Sequence, residues 1–202
     1  MLTRLYLLRH GETDWNQKSI FQGQTDIDLN KRGREQAKKA AEITQKLEFD
    51  QIYSSDLKRA KNTALMISRE KNSEIKESKQ LREMNFGDWE GLSFAEIKKQ
   101  YSDLASAWQQ DPVHNYPPGG EKLSDFKFRI EAFFQKIIER HQGNKILVVT
   151  HGGVIKLYLT AVLSIKLENF WQFQIDNCSL TELKIYDQEI ILSKLNFTNT
   201  IN

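Results

Sequence analysis

Short unbroken apolar runs alternate along this chain with stretches in which apolar residues recur every three or four positions. The clearest runs are Leu5-Tyr6-Leu7-Leu8 and Ile146-Leu147-Val148-Val149, each followed within a few residues by glycine. Runs of that kind predict strands of a parallel sheet, buried on both faces. Residues 49–54 and 74–78 read as two more short strands. Between them the helical spacing is plain. Asn30 can cap a helix reaching about Leu47, with Ala37, Ala40, Ala41 and Leu47 inward. Lys31, Arg32, Arg34, Lys38 and Lys39 form its wet face. Residues 58–69 turn Ala60, Ala64 and Ile67 inward. Residues 93–110 are helical with a break near Ser102-Asp103.

Residues 124–141 are the strongest helix, since Phe126, Ile130, Phe133, Phe134, Ile137 and Ile138 share one face. Residues 153–163 are apolar nearly all round and predict a buried helix. Residues 180–186 and 189–195 alternate about Asp187-Gln188 as a hairpin does. Residues 12–29 and 81–92 are polar or glycine-punctuated loops, the first with room for short helical turns. All three prolines (Pro112, Pro117 and Pro118) fall in one loop ending at Gly119-Gly120. Strands alternating with helices imply an α/β three-layer sandwich. Its central sheet is mainly parallel, with helices on both faces and an antiparallel C-terminal edge.

Length and composition narrow the class. A chain of 202 residues suits one domain with one substantial core. A net charge of +2 gives no argument for nucleic acid or membrane as partner. One cysteine, Cys178, excludes an internal disulfide framework and fits a reducing cytosol. Met1–Leu8 is too short, and too soon interrupted by Arg9-His10, to be a signal peptide. The expected location is the cytoplasm.

Chemistry gathers where the two best strands end. One runs into Arg9-His10-Gly11 and the other into Thr150-His151-Gly152-Gly153. Ligands of open α/β sheets bind just beyond the carboxyl ends of the strands, so both histidines face one crevice. Either histidine alone is as readily a hydrogen-bonded core residue; the repetition favours a site. A neutral imidazole attacks phosphorus well, and the phosphorylated form is a good leaving group. Arg9 beside His10 disfavours the imidazolium. Arg9 and Arg59 are candidate phosphate clamps, because the guanidinium fork matches phosphate oxygens and keeps its charge. Spacing does not choose among Lys58, Arg59 and Lys61. Ester hydrolysis also needs a proton donor and acceptor, a role open to a carboxyl of raised pKa. Glu12, Asp14, Glu83, Asp88 and Glu90 all sit in suitable loops, and pattern does not rank them.

The four histidines (His10, His114, His141 and His151) include no close-spaced ligand pair, so no metal is expected. His141 ends a helix, where an imidazolium suits the dipole. No glycine-rich nucleotide loop is present, and no cofactor is expected. Trp15, Phe21, Trp89, Trp108 and Tyr116 are candidates to line a pocket for an aromatic base, or to pack as satellite cores.

The segment Leu8-Arg9-His10-Gly11-Glu12-Thr13-Asp14-Trp15-Asn16 resembles the signature of the histidine phosphatase superfamily, the phosphoglycerate mutase-like proteins. The resemblance continues through Phe21-Gln22-Gly23-Gln24, residues 54–60 with Thr63-Ala64, Leu81-Arg82-Glu83, Phe86-Gly87-Asp88-Trp89-Glu90-Gly91 and Val149-Thr150-His151-Gly152-Gly153. It implies a single histidine phosphatase domain over 1–202 that acts without metal. His10 would be the phosphorylated nucleophile and Glu83 the proton donor and acceptor. Arg9, Arg59 and a protonated His151 would stabilise the transferring phosphoryl group. Asn16, Gln22, Gly23 and the Gly152 N–H would complete the substrate site.

Mutases of this kind carry a longer insert between the equivalents of Glu83 and His151. Here 151 − 83 leaves 68 positions, which favours a hydrolase. The segments 83–91, 117–121 and 177–181 are similar to alpha-ribazole phosphatases, which act in cobalamin assembly. Lys122 stands where those relatives have a serine that caps the next helix, a task open to Ser124. The expected partner is a small phosphorylated metabolite, and a second copy of the chain, as a homodimer, is the other candidate. A broad-specificity phosphatase, a phosphoglycerate mutase and a phosphate-binding module without turnover are the alternatives.

Overall fold

The structure, a computed structural model, describes residues 1–69, 74–187 and 189–198. Six strands form one sheet in the order β3-β2-β4-β1-β5-β6. They are β1 (Thr3–Arg9), β2 (Gln51–Ser55), β3 (Ile75–Ser78), β4 (Lys145–Thr150), β5 (Leu180–Ile185) and β6 (Ile190–Phe197). The first four pair in parallel, and β5 and β6 run antiparallel at the edge. Among the described residues seven α-helices accompany them: α1 (Asp14–Gln17), α2 (Lys31–Thr44), α3 (Lys58–Arg69), α4 (Phe94–Gln100), α5 (Ser102–Gln110), α6 (Leu123–Arg140) and α7 (Gly152–Val162).

The unbroken apolar runs resolve into two faces, as a period of two demands. Leu5 and Leu7 of β1 join Ile146 and Val148 of β4 in the core under α6 and α7. Tyr6 and Leu8 join Leu147 and Val149 in the opposite core, against the alanines of α2 and α3. Alanines dominate the faces that α2 and α3 turn to this second layer. The first is filled by the aromatic face of α6. Helices cover both faces, as the alternating pattern implies.

Several boundaries differ from those that spacing predicts. The helix capped by Asn30, whose Oδ1 accepts from the Gly33 N–H at 2.8 Å, ends at Thr44 and not near Leu47. The Gln45 N–H turns to the Glu42 carbonyl, and the Ala41 carbonyl it would otherwise take accepts from the Thr44 hydroxyl. Helix α6 starts at Leu123, with Lys122 in the cap position and no side-chain cap; Ser124 lies inside the helix. His141 is the C-terminal cap residue of α6. Burial, with Lys76 and Arg140 adding to it, pushes its pKa down, and its Nε2 lies 2.8 Å from the Tyr53 hydroxyl. Asp187 lies in the expected hairpin turn, while Gln188 falls outside the described residues.

The loop after β1 is held against the start of α2 by two glycines. A Cβ on Gly33 would overlap the Glu12 carbonyl oxygen, and one on Gly11 would overlap the Gly33 carbonyl. Alanine gains about 1 kcal/mol of helix propensity at an interior position. Overpacking against backbone costs about 1–3 kcal/mol and here has no flexible side chain to yield. Gly33→Ala is therefore expected to lower the melting temperature by several degrees in a thermal scan. A melting temperature equal to or above the wild type would show that this loop moves freely.

Candidate active site

Strand pairing brings the two histidines together. Arg9 is paired with Thr150, and the His10 N–H extends the ladder by donating to the Thr150 carbonyl at 2.9 Å. The His10 and His151 rings, both buried, lie with centroids 5.1 Å apart. The two rings thus meet beyond the strand ends, but of the two only His10 lines the cavity described below.

Hydrogen bonds assign the protons. His10 Nδ1 is 2.7 Å from the Gly11 carbonyl, which can only accept, so Nδ1 carries the hydrogen. That leaves the Nε2 lone pair free. Burial, then Arg59 and Arg9, push the His10 pKa well below the usual histidine range, with the Gly11 carbonyl pulling the other way. His151 Nδ1 is 3.3 Å from Arg59 Nε, a group that can only donate. Its Nε2–H therefore donates to Ser55 Oγ at 2.9 Å. His151 is neutral in this arrangement, and burial with Arg59 and His10 pushes its pKa well down too. The protonated His151 implied by the family resemblance is thus not the resting form. A third positive charge beside the Arg9 and Arg59 guanidiniums is costly in a buried site.

Both arginines are in the site. Arg59 enters from the first turn of α3 and is wholly buried. Its Nη1 and Nη2 donate to the Thr25 and Gly23 carbonyls at 2.8 and 2.6 Å. Lys58 and Lys61 instead reach Asp26 and Glu77 on the surface, which decides among the three cations. Arg9 Nη1 donates to the Ile175 carbonyl at 2.6 Å, while its buried Nε has no partner. Among the described residues neither guanidinium has a carboxylate within ion-pair distance. Burial pulls Arg59 down to about 10 and lowers Arg9 as well.

The carboxylates separate cleanly. Glu83 follows β3 and a short 3-10 turn (Lys79–Leu81) and lines the same cavity as His10. Its Oε2 accepts from the Gly153 N–H at 3.0 Å, and its Oε1 from the Met84 N–H at 2.9 Å. A Cβ on Gly153 would collide with that carboxylate, which explains the second glycine after His151. Glu90 is consumed as a brace, accepting from the Gln24, Thr25 and Phe86 N–H groups. Glu12 faces Gln36, Asn30 and Arg32 away from the cavity. Asp14 and Asp88 are exposed.

The cavity holds about 530 Å³. Arg9, His10, Asn16, Gln22, Gly23, Arg59, Glu83 and Gly152 all line it, so the structure gathers every expected site residue but His151, which stands behind Arg59. Asn16 Oδ1 accepts from the Thr13 N–H, and Gln22 Oε1 from the Thr13 hydroxyl. Each amide therefore keeps its NH2 for the cavity. Gly23 adopts φ +49°, bending its carbonyl onto Arg59. Of the candidate aromatics, Phe21 and Trp108 reach the cavity; Trp89 is core, and Trp15 and Tyr116 do not line it. Phe86, Trp171 and Lys156 line it unforeseen.

Among the described residues no cluster of potential ligands could hold a metal ion, and no helix is long and apolar enough to cross a membrane. Residues 5–198 match the profile of the histidine phosphatase superfamily (branch 1). The chain belongs to that superfamily. It is a phosphatase. Phosphoserine phosphatase 1 of Hydrogenobacter thermophilus is 33% identical over 98% of this chain and 93% of its own length. Adenosylcobalamin/alpha-ribazole phosphatase of Escherichia coli is 32% identical over 96% and 95%. The solved structure of a mycobacterial glucosyl-3-phosphoglycerate phosphatase superposes with a TM-score of 0.89 at 30% identity, covering 98% of this chain and all of that one. The sheet of this histidine phosphatase is the one expected of that fold.

Neutral buried histidines make the fold sensitive to acid. When the folded pKa is depressed, the unfolded chain binds protons first, so stability is present above the unfolded value and falls as pH drops below about 6.5. Denaturant melts at stepped pH are expected to show that loss. His10→Asn is expected to reduce its slope; equal slopes would show that His10 is not buried neutral.

Proposed function

We propose that this histidine phosphatase hydrolyses a small phosphomonoester through a covalent intermediate on His10. The observation that carries the reading is one cavity holding a free imidazole lone pair, two guanidiniums without carboxylate partners, and a carboxyl group. The unpartnered Arg9 Nε–H and the Gly152 N–H at the start of α7 are donors suited to phosphate oxygens. Arg59 and the Asn16 amide supply more. Gln22 and Gly23 close that side.

His10 Nε2 attacks phosphorus as the ester oxygen departs, and Glu83 delivers a proton to that oxygen. Water then attacks the phosphohistidine, Glu83 takes its proton, the N–P bond breaks and inorganic phosphate leaves. Charge spreads over the equatorial oxygens in each transfer, so preorganised cations do most of the work. A phosphoryl dianion beside His151 opposes the effects that depress its pKa and draws it toward the imidazolium. The alcohol leaves toward the wall of Phe21, Phe86, Trp108 and Trp171. Two findings support alpha-ribazole 5′-phosphate, namely that wall and the relative named for it. A relative named for phosphoserine stands at similar identity. The choice turns on what the wall offers besides rings.

Acid-quenched labelling with a phosphorylated substrate is expected to trap phosphate on the wild type and not on His10→Ala; label on the variant would defeat the nucleophile assignment. Glu83→Gln should lower kcat by about 10²–10⁴-fold while binding of inorganic phosphate changes little. Equal losses in both would make Glu83 a binding residue. The acid limb of kcat/KM is expected below pH 6.5, because His10 stays unprotonated there. A limb at or above that pH would contradict the role of His10.

A further inference from the structure

Helix α7 is apolar from Val154 to Val162 apart from Lys156 and Thr160. Lys156 is its one charged residue, and it lines the cavity that holds His10 and Glu83. The Thr160 hydroxyl is satisfied by the Lys156 carbonyl at 2.8 Å. The Lys156 ammonium has no hydrogen bond or ion pair among the described residues. It lies over the Trp171 ring, with Nζ 5.3 Å from the centroid. A lysine embedded in an apolar helix and left without an anion is an unusual expense. Burial and Arg9 lower its pKa, and Glu83 partly offsets them. Packing of the aliphatic stem on the Trp171 wall explains the stem and not the placement of the charge over the substrate's path.

The helix sets the distance. Lys156 lies three and four residues after Gly153 and Gly152, so all three share a face. Its Cα is about 6 Å along the axis from Gly152, whose N–H is the proposed phosphate donor. Helical side chains lean toward the N-terminus, which brings the ammonium back toward the reacting group. An anion attached two or three carbons from the ester oxygen spans that gap. A riboside leaving group has no such charge.

We propose that Lys156 is a specificity-determining residue that pairs with a carboxylate on the leaving group, so that the preferred substrate is the phosphate ester of a small hydroxy acid. This rests on the phosphatase reading above and narrows it away from uncharged ribosides. Lys156 is a binding residue for the leaving group and takes no part in either phosphoryl transfer. Trp171, under its ammonium, holds it over the cavity.

The test compares 3-phosphoglycerate with glycerol 3-phosphate, which has the same chain length and no carboxylate. Wild-type kcat/KM should be higher for 3-phosphoglycerate. Lys156→Met should cut that value about 10- to 100-fold, as expected for one charge-assisted pair, with a loss on glycerol 3-phosphate at least tenfold smaller. Lys156→Arg should restore the preference. Equal losses on both substrates would place Lys156 on the phosphoryl group and overturn the inference, as would a wild type that favours glycerol 3-phosphate or alpha-ribazole 5′-phosphate. If the wild type hydrolyses none of them, the phosphatase mechanism fails by itself. Calorimetric binding of the same two glycerol-chain phosphates to wild type and Lys156→Met then decides Lys156: selective loss of 3-phosphoglycerate affinity supports the pairing, and parallel loss or no loss refutes it.

Discussion

The register of one parallel strand pair governs everything at this site. Arg9 faces Thr150, and the next hydrogen bond, from the His10 N–H to the Thr150 carbonyl, carries the ladder one residue past the end of β1. His10 and His151 are therefore consecutive steps beyond matched strand ends, and their rings meet. A slip of one residue would turn every side chain of β1 to the other face. Leu5 and Leu7 would then leave the core beneath α6, and His10 would leave the cavity. Fold stability and site assembly consequently depend on the same pairing, and the cost of a slip falls on both.

A second constraint is electrostatic. Two guanidiniums are buried within reach of two imidazoles, and backbone carbonyls satisfy much of their hydrogen bonding without cancelling their charge. Carbonyl dipoles orient Arg9 and Arg59 while leaving the net positive field intact. A carboxylate partner would have quenched it. Burial first, and then this field, lower the pKa of both histidines, which keeps the His10 lone pair available. The same field favours a dianion. One arrangement thus keeps the nucleophile deprotonated and prepares the pocket for phosphate, and neither effect needs a metal ion to account for it.

The main strands, the layer order and the meeting of the two histidines are legible in the sequence because they follow from local periodicity and from where strands end. Arg59 is not legible against Lys58 and Lys61: all three begin one helix, and only the rotation of α3 against β2 decides which is buried. The five loop carboxylates are equally opaque to pattern, since only the fold turns Glu83 to the cavity and ties Glu90 to the Gln24, Thr25 and Phe86 N–H groups. Phe86 and Trp171 come to the cavity through loop packing that leaves no periodic trace. Lys156 did carry a signal, a single charge in an otherwise apolar helix. Apolarity all round marks a helix as buried, and it is then the charged exception that carries the information.

Glu83 needs support that the strands do not provide, because it sits in a loop after the short edge strand β3. Arg129, in the middle of α6, provides it. Its guanidinium donates to the Gln80, Arg82 and Glu83 carbonyls at 2.8–2.9 Å and is held in turn by Glu121 at 2.6 and 2.9 Å. On the other side Arg82 makes a two-pronged pair with Asp56, just after β2. The Thr150 hydroxyl ties the Leu81 carbonyl to the end of β4. Three anchors thus fix a segment whose own regular structure is only the single 3-10 turn Lys79–Leu81. A carboxyl group that must present a proton to one oxygen and take it back from another has to hold its place through both steps. The loop's rigidity is borrowed from α6, β2 and β4, so the positioning of Glu83 depends on residues that never touch a substrate.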